Sequence, residues 1–405
     1  FRLRALHPLH PPVPCPQALS RCFCGQPPDA LRAGPERGAA RAPIWWLRPA
    51  LPAHPGDMAS LKAWLAAHPS RRPRCVLGKT EGNGCVNDFT RAYASSAVEA
   101  ALGERRGDAS VIMSGGTEGV LTPHLLVFAD GADGGGTAAA LATGEGRLSL
   151  GVARTREFAP HEIGRRAQAE ATRDAVVEAC RDAQLQPADL CFAQVKCPLL
   201  TPERVAAAAP MACVTEDGYR SMALSRGVSA LGVALATGEL LAGSLGAALD
   251  ALCTPTDEYR SRVASASAGI ELMHSEVFVL GNAAGSRSRL RAAHCEMADA
   301  LDGPAVLRML ATAGLETSGG QLTPMAQARV RAVLAKADPA ARVRGHRTTM
   351  CADSDIHATR HSRAAVGGLL GGVFGSGRLY VSGGAEHQGP AGGGPVCVIY
   401  EVVAA

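Results

Sequence analysis

Lysine, arginine and serine recur in the same order three times along this chain, and these residue types together can cleave an amide bond. The first set is Lys79, Arg91 and Ser114, the second is Lys196, Arg226 and Ser267, and the third is Lys336, Arg363 and Ser382. A serine becomes a nucleophile when a neighbouring base, such as a neutral lysine, accepts its proton. Arginine adds a planar group of donors for carbonyl oxygens. The pattern therefore predicts nucleophilic attack on a carbonyl compound.

Each serine begins a short motif, Ser-x-Gly-x-Glu, at residues 114–118, 267–271 and 382–386. The serine hydroxyl and the backbone N–H of the next residue can both donate to one carbonyl oxygen and stabilise an oxyanion. Those next residues are Gly115, Ala268 and Gly383. Three such sets around one point could donate hydrogen bonds to all three carbonyl oxygens of a ring with three equivalent carbonyls. The alternative is a triplicated scaffold in which these residues cap turns, but a packed scaffold has no need for a long cation at each strand end.

Two of these positions have a neighbour that could take the same role. Ser265 lies two residues before Ser267, and either hydroxyl could be the nucleophile. We favour Ser267 because it keeps the repeated spacing to a glycine and a glutamate. Arg360 competes with Arg363 in the same way, and Arg363 better matches the Ser-Arg pair at residues 225–226.

Short apolar runs alternate with amphipathic segments from about residue 44 onward, and this alternation predicts an α/β fold. Strands are predicted at residues 75–77, 110–113, 148–153, 190–194, 277–280, 379–382 and 396–400. Helices are predicted at residues 88–102, 161–183, 221–236, 298–313, 324–335 and 362–370. Glycine-rich residues 131–146 and 281–285 are predicted linkers. They divide the chain into repeat units 44–146, 147–290 and 291–405, with one set in each.

The charge and hydropathy of the chain exclude two classes of partner. The 405 residues carry a net charge of +4, and the basic residues are scattered rather than gathered into a patch for nucleic acid. No apolar run reaches the length of about 18 residues that a membrane span needs. Residues 1–43 are rich in proline and arginine and poor in acids, so we interpret them as a disordered leader or an organelle transit peptide.

Cysteine and histidine are the residues that could suggest a transition-metal site. The 13 cysteines lack the paired spacing of zinc ligands, so they are predicted to be reduced structural thiols of an intracellular protein. Four histidines could suggest a metal or acid–base cluster: His124, His357, His361 and His387. Their spacing matches no ligand motif, so we interpret them as hydrogen-bonded neighbours of the site.

Longer motifs around these sets resemble the cyanuric acid hydrolase and barbiturase family of ring-opening amidohydrolases. They are GKTEGNGCVNDFTR at residues 78–91, MSGGTEGVLTPH at 113–124, VKCPLLTPE at 195–203 and YVSGGAEHQGP at 380–390. The resemblance covers residues 45–403. It implies an α/β fold of three βαβ-rich repeats around a pseudo-threefold axis, forming a barrel-like core with the site at the junction of the repeats.

The same resemblance implies a role for each member of the three sets. Lys196 would be the general base and Ser267 the nucleophile, with a lysine pKa that burial and nearby cations must lower. The remaining lysines and serines, Lys79, Lys336, Ser114 and Ser382, would bind the other two carbonyls, and Arg91, Arg226 and Arg363 would clamp the ring. The implied reaction opens cyanuric acid to carboxybiuret, which decarboxylates to biuret. The alternatives are a barbiturase that opens barbituric acid to ureidomalonate, and a non-catalytic relative.

The family resemblance also implies a structural cation, Mg²⁺ or Ca²⁺, and no catalytic cofactor. The implied ligands are the backbone carbonyls of Ala385, Gln388, Gly389, Pro390 and Gly393 and the side chain of Asp338. Asp338 stands where the family has a glutamate, so its shorter side chain could bind the ion directly or through water. Oxygen ligands suit either hard cation. The resemblance further implies a cytoplasmic homotetramer that acts on a small cyclic imide.

Overall fold

Three four-stranded sheets, each covered by helices, make up the architecture of the protein. The computed structural model describes residues 44–47, 52–131, 146–254 and 257–403. The first sheet and its helices comprise β1 (Ile44–Leu47), α1 (Ala59–Ala67), β2 (Arg72–Thr80), α2 (Phe89–Leu102), β3 (Ser110–Gly115) and β4 (His124–Asp130). The strand order in this sheet is β1-β4-β2-β3. Strands β2 and β3 are parallel, and the other neighbours are antiparallel.

The second sheet repeats this arrangement with longer helices. Its elements are β5 (Arg147–Arg154), α3 (Arg166–Ala183), β6 (Leu190–Pro198), α4 (Pro202–Ala207), α5 (Gly218–Thr237), α6 (Leu245–Asp250), β7 (Ala264–Gly269) and β8 (Glu276–Ala283). The strand order is β5-β8-β6-β7, and β6 and β7 are the parallel pair.

The third sheet has the same topology, and its part of the chain adds two pairs of two-residue strands. Its elements are β9 (Leu290–Met297), α7 (Gly303–Thr312), β10 (Thr317–Ser318), β11 (Gln321–Leu322), α8 (Pro324–Arg329), β12 (Val330–Ala337), β13 (Arg342–Val343), β14 (His346–Arg347), α9 (Ala358–Phe374), β15 (Tyr380–Gly383) and β16 (Gly394–Glu401). The main strands follow the order β15-β12-β16-β9, and β12 and β15 are parallel. Each sheet therefore presents a strand–helix–parallel strand unit in the same place.

Small residues let the helices approach the sheets closely. A Cβ added to Gly151 on β5 would lie 1.9 Å from the carbonyl oxygen of Ala179 on α3. A Cβ added to Gly232 on α5 would lie 2.5 Å from the carbonyl oxygen of Ala169, also on α3. Because only glycine has no Cβ, the alanine- and glycine-rich composition is a requirement of this packing.

One hydrophobic cluster joins the three sheets. It includes Phe128 from the first sheet, Phe192 and Phe278 from the second, and Leu334 and Tyr380 from the third, each completely buried. The rings of Phe128 and Phe278 lie 5.0 Å apart. The opposite faces of the sheets pack against their own helices in separate clusters. The central strands are therefore buried on both faces, which explains why their sequences are continuous apolar runs.

Five expectations about the fold need correction or concern residues outside the described ranges. No barrel closes, because among the described strands the hydrogen-bonded ladder stops at the edges of each sheet. The predicted helix at residues 324–335 is wrong beyond Arg329, where β12 begins and carries Lys336. The predicted linker at residues 281–285 is part of β8 as far as Ala283. Most of the linker at 131–146 and the leader at 1–43 lie outside the described residues.

Two further expectations concern membrane spans and thiols. Among the described helices, none combines the length and the apolar character needed to cross a membrane. The described cysteines are free thiols, and Cys75, Cys180, Cys191, Cys197 and Cys397 are buried.

Candidate active site

Strand register places the lysine and the serine of each set side by side. Across the parallel pairs, Lys79 is opposite Ser114, Lys196 is opposite Ser267, and Lys336 is opposite Ser382. All six side chains are buried, with Lys336 at 0% and Ser267 at 7% exposure. A βαβ unit brings the ends of its two parallel strands together, so residues that are 35 to 71 positions apart become neighbours through local topology.

The three arginines come from the helices that link these strands. Arg91 lies in the first turn of α2, whose N-cap Asp88 accepts a hydrogen bond from the backbone of Thr90. Arg226 and Arg363 lie further along α5 and α9, and all three arginines are buried. One small cavity is lined by Gly84, Arg91, Ser114, Gly115, Met222, Arg226, Ser267, Ala268, Arg363, Ser382 and Gly383. The structure thus brings together the predicted arginines, serines and adjacent residues, with the lysines behind the serines.

The first and third lysines contact their own serines directly. The Nζ of Lys79 lies 3.3 Å from the Oγ of Ser114, and the Nζ of Lys336 lies 3.3 Å from the Oγ of Ser382. Lys336 also donates to the carbonyl oxygen of Ala266 in the second sheet at 2.8 Å. These two lysines are therefore fixed against the hydroxyls that line the cavity.

The second lysine has different partners. Its Nζ donates to the carbonyl oxygen of Met113 in the first sheet at 2.8 Å. It also forms an ion pair with Glu271, at 2.8 Å from Oε1. Among the described residues, Ser267 has no hydrogen bond to Lys196, and its Oγ accepts a long one of 3.4 Å from the side-chain amide of Gln194. In substrate-free enzymes such catalytic contacts are often long and tighten when the substrate binds.

Two of the arginines are held by glutamates from another sheet. Arg363 donates to both oxygens of Glu118, at 2.7 and 2.6 Å. Arg226 donates to both oxygens of Glu386, at 2.8 and 2.6 Å. Arg91 instead donates to the carbonyl oxygen of Ala268 in the second sheet at 3.0 Å. Each arginine therefore spans the junction between two sheets.

Burial lowers the pKa of all three lysines. It is the largest cause for Lys336, whose pKa falls to about 7, with the nearby Arg226 guanidinium adding to the effect. Burial and Arg363 hold the pKa of Lys79 well below its usual range. Burial also lowers the pKa of Lys196, while the charge of Glu271 opposes that shift. A buried amine of this kind can be neutral and act as a base near neutral pH.

The structure separates the residues that the sequence left as alternatives. Ser267 lines the cavity, whereas Ser265 is fully buried and donates to the Oε1 of Gln194 at 2.7 Å. Arg363 lines the cavity, whereas the side chain of Arg360 is 40% exposed and contacts Glu118 at 3.3 Å. In both cases the residue with the repeated spacing is the one that faces the cavity.

The residues proposed to hold a cation lie apart from the cavity, behind the third set. The carboxylate of Asp338 accepts from the backbone N–H of Ala385 at 3.1 Å and of Gly392 at 3.0 Å. It has no ion pair with a described side chain, and burial together with Glu386 raises its pKa to about 6. The described residues hold no cluster of three His, Cys, Asp or Glu side chains. Backbone carbonyls would therefore have to complete an oxygen site, and a half-buried carboxylate without an ion pair to a described side chain fits a hard cation.

The loop that would supply those carbonyls is well anchored. The side chain of Gln388 is fully buried and its Oε1 accepts from the backbone N–H of Ala266 at 2.6 Å. Gly389 has a φ of +89°, and Gly393 donates to the carbonyl oxygen of Pro390 at 2.9 Å. The loop thus ties the third set to the strand that carries Ser267.

The four histidines lie away from the cavity lining and contact other groups. Their contacts are His124 with the carbonyl of Thr122, His357 with the hydroxyl of Tyr219, His361 with the carboxylate of Asp353, and His387 with the carbonyl of Tyr259. The described residues therefore do not gather these histidines into one site.

Sequence reasoning assigned no role to the three glutamates of the repeated motif. Glu118, Glu271 and Glu386 each follow their serine by four residues, and each is paired with a cation at the site. The recurring glutamate was visible in the sequence. Its partner was not, because the Arg363–Glu118 and Arg226–Glu386 pairs join residues that are 245 and 160 positions apart.

Comparisons with known proteins place this geometry in a family. The sequence model of the family described as "Amidohydrolase ring-opening protein" matches residues 49–401. A cyanuric acid amidohydrolase of Bradyrhizobium diazoefficiens is 49% identical over 362 residues, which cover 85% of this chain and 95% of that protein. One from Rhizobium leguminosarum bv. trifolii is 47% identical over 354 residues, covering 86% of this chain and 95% of that protein.

Two solved structures agree with the sequence matches. One, described as "Cyanuric acid hydrolase: evolutionary innovation by structural concatenation", has a TM-score of 0.81 and 44% identity over 89% of this chain and 100% of that chain. The cyanuric acid hydrolase from A. caulinodans has a TM-score of 0.78 and 40% identity, over 89% of this chain and 99% of that chain. The chain belongs to the ring-opening amidohydrolase family.

Proposed function

We propose that the protein is a cyclic amidohydrolase that opens the s-triazine ring of cyanuric acid by hydrolysis. The observation that carries this proposal is the convergence of three Lys–Arg–Ser sets on one small cavity. Cyanuric acid offers three equivalent carbonyls, one for each set. The relatives named above are cyanuric acid amidohydrolases, which favours this substrate over barbituric acid and an enzyme over a non-catalytic relative.

The reaction would begin with Ser267 attacking a ring carbonyl while Lys196 accepts the hydroxyl proton. A neutral lysine is required for that step, and burial of Lys196 lowers its pKa in the required direction. The oxyanion would accept hydrogen bonds from the backbone N–H of the residue after the serine, here Ala268. Cleavage of the C–N bond leaves an acyl-enzyme, which water then hydrolyses to carboxybiuret. Loss of carbon dioxide from that product gives biuret.

The other two sets would bind and polarise the two carbonyls that do not react. In this role, Ser114 and Ser382 donate to ring oxygens, supported by Lys79 and Lys336 at 3.3 Å and by the backbone of Gly115 and Gly383. The three arginines, which line the same cavity, supply fixed donors around the ring. Such positioning fixes the reacting carbonyl against Ser267.

We also propose a structural cation, Mg²⁺ or Ca²⁺, held by Asp338 and the carbonyls of the 385–393 loop. The ion would neutralise the half-buried carboxylate and rigidify the loop that anchors Gln388 to β7. Chelation should then lower the melting temperature, and added Mg²⁺ or Ca²⁺ should restore it. The variant Asp338→Asn should lose this response; a response equal to that of the parent would exclude Asp338 as a ligand.

The same proposal includes four features of fold, assembly and location. They are a pseudo-threefold axis through the cavity, repeat units at residues 44–146, 147–290 and 291–405, a homotetrameric assembly and a cytoplasmic location. The equal topology of the three sheets supports the axis and the repeat units. Light scattering of the purified protein measures the mass of the assembly directly, and the mass of a monomer would contradict the proposed tetramer.

Turnover of the two candidate rings by purified protein tests the function. We expect ring-opening of cyanuric acid, weak or absent activity on barbituric acid, and loss of activity in Lys196→Ala. Turnover of barbituric acid alone would show that barbituric acid is the substrate, while the proposed Ser–Lys mechanism would stand. A folded parent that opens neither ring would contradict the proposed function.

A further inference from the structure

The glutamate that follows each serine by four residues is compensated differently in the second set. In the first and third motifs, Glu118 and Glu386 each accept two hydrogen bonds from one arginine of another sheet, Arg363 and Arg226. Such a bidentate pair neutralises the carboxylate and occupies both of its oxygens. Neither glutamate is then available to stabilise a new positive charge on its own lysine.

Glu271 has no ion pair with an arginine among the described residues and turns toward its lysine. Its Oε1 lies 2.8 Å from the Nζ of Lys196, and its Oε2 is buried without a hydrogen bond to any residue that the structure describes. The carboxylate folds back over Gly269, where an added Cβ would lie 2.0 Å from Oε2. At the matching glycines Gly116 and Gly384, the same space is filled by Arg363 and Arg226, at 2.4 and 2.6 Å.

The local sequence of α2 explains why Arg91 leaves Glu271 free. Arg91 donates to the carbonyl oxygen of Cys85 at 2.6 Å, and its Nε lies 3.9 Å from the N-cap carboxylate of Asp88. Three residues before Arg226 and Arg363 the chain has Ala223 and Arg360, so those two arginines have no acid in the preceding turn. Arg91 is thus held by Cys85, Asp88 and the carbonyl oxygen of Ala268, and Glu271 pairs with Lys196 instead.

We propose that Glu271 is the positioning residue of the second set: it orients the amine of Lys196 and stabilises the ammonium that forms when Lys196 takes the proton of Ser267. The inference rests on the proposed function of that pair. A carboxylate behind the base serves histidine in the same way in serine hydrolases. The contact between Glu271 and Lys196 also gives a physical reason why one of three similar Lys–Ser pairs is the reactive one. In the sets of Lys79 and Lys336, the motif glutamate is paired with an arginine instead.

The proton balance needs no further reactant. As the Oγ of Ser267 bonds to the ring carbonyl carbon, its proton moves to the Nζ of Lys196 and the C=O π electrons move to oxygen. Collapse of the oxyanion breaks the ring C–N bond, and the proton moves from Nζ to the ring nitrogen. Water repeats the sequence at the acyl-enzyme, and Lys196 returns its proton to Ser267. Glu271 stays ionised throughout, and its charge stabilises the ammonium form of Lys196 during the proton transfers.

The test compares Glu271→Gln with the matched variant Glu118→Gln, and includes Glu271→Asp. We expect Glu271→Gln to lower kcat on cyanuric acid by about 10² to 10⁴-fold, with little change in KM. The acid limb of the pH–rate profile of Glu271→Gln should move to lower pH. In the parent the carboxylate of Glu271 raises the pKa of Lys196, so its removal should lower that pKa. Glu118→Gln should mainly raise KM by loosening Arg363, and Glu271→Asp should restore part of kcat.

A readout without substrate separates this inference from the proposed function. Side-chain ¹⁵N NMR of Lys196 should show a lower titration midpoint in Glu271→Gln than in the parent and in Glu118→Gln. An unchanged titration midpoint would overturn the role of Glu271. The role would also be overturned if kcat fell in Glu271→Gln by less than ten times as much as it falls in Glu118→Gln. A parent that titrates as expected but opens no ring would instead overturn the proposed function and the catalytic part of this inference.

Discussion

The second and third sets occupy the same place on the same topology, yet their lysines have different partners. Lys336 contacts Ser382 at 3.3 Å, and the glutamate of its motif is paired with Arg226. Lys196 contacts the glutamate of its own motif at 2.8 Å and has no hydrogen bond to Ser267 among the described residues. The difference lies in which cation each glutamate meets. It indicates how a repeated scaffold can divide binding and catalysis without changing the lysine or the serine.

The largest expected effect comes from removing the serine of the second set. Ser267→Ala should lower kcat by about 10⁴-fold or more, because it removes the nucleophile. Ser114→Ala and Ser382→Ala are the matched controls, since each removes one hydroxyl from the same cavity. They should cost about tenfold to 10²-fold, because each removes one hydrogen bond to a carbonyl that does not react. Steady-state turnover of cyanuric acid measures all three, and equal losses would erase the distinction between the sets.

A smaller effect is expected from adding one methyl group beneath Glu271. In Gly269→Ala the new Cβ would meet the Oε2 of Glu271 at 2.0 Å, and this flexible carboxylate should move away from Lys196. We expect kcat to fall by about tenfold to 10²-fold, as for a misplaced catalytic group, with a nearly unchanged melting temperature.

The control for that change is Gly116→Ala in the first set. Gly116 has a φ of +101°, and the new Cβ would meet Arg363 at 2.4 Å, so this variant should lose stability and raise KM. If both variants changed kcat and KM in the same way, the account of Gly269 would fail.

The smallest expected effect concerns how stability depends on pH through Lys336. Its pKa is about 7 in the folded protein, below the ordinary lysine value of 10.5. Between those pH values the unfolded chain binds a proton that the folded protein does not, so stability should rise with pH, by up to about 1.4 kcal/mol per unit. Lys336→Met should lose this slope in thermal melts between pH 7 and 10. A parent and variant with parallel curves would show that Lys336 is protonated when folded.

Local spacing predicted most of the residues that line the cavity, but not Gly84 or Met222. The lysine, arginine and serine of each set lie on a strand, a helix and the next parallel strand, so one βαβ unit brings them together. The same reasoning separated Ser267 from Ser265 and Arg363 from Arg360. The α/β class and seven of the sixteen described strands followed from apolar alternation, whereas β7, which carries Ser267, was not predicted.

Contacts between sheets could not be predicted in the same way. The choice between Arg91 and Lys196 as the partner of Glu271 depends on Asp88 and Cys85, which lie more than 180 residues before Glu271. The false helix at residues 324–335 has a related cause. The run after Arg329 mixes alanine with valine and leucine, and only its pairing with β15 and β16 selects the strand.

The acyl-enzyme itself offers the most direct test of the central claim. Protein quenched in acid during turnover of cyanuric acid can be digested and its peptides weighed by mass spectrometry. We expect an adduct of one opened ring on the peptide that contains Ser267, and on that hydroxyl when the peptide is fragmented. An adduct on Ser114, Ser265 or Ser382, or turnover with no adduct under rapid quenching, would contradict the assignment of Ser267 as the nucleophile.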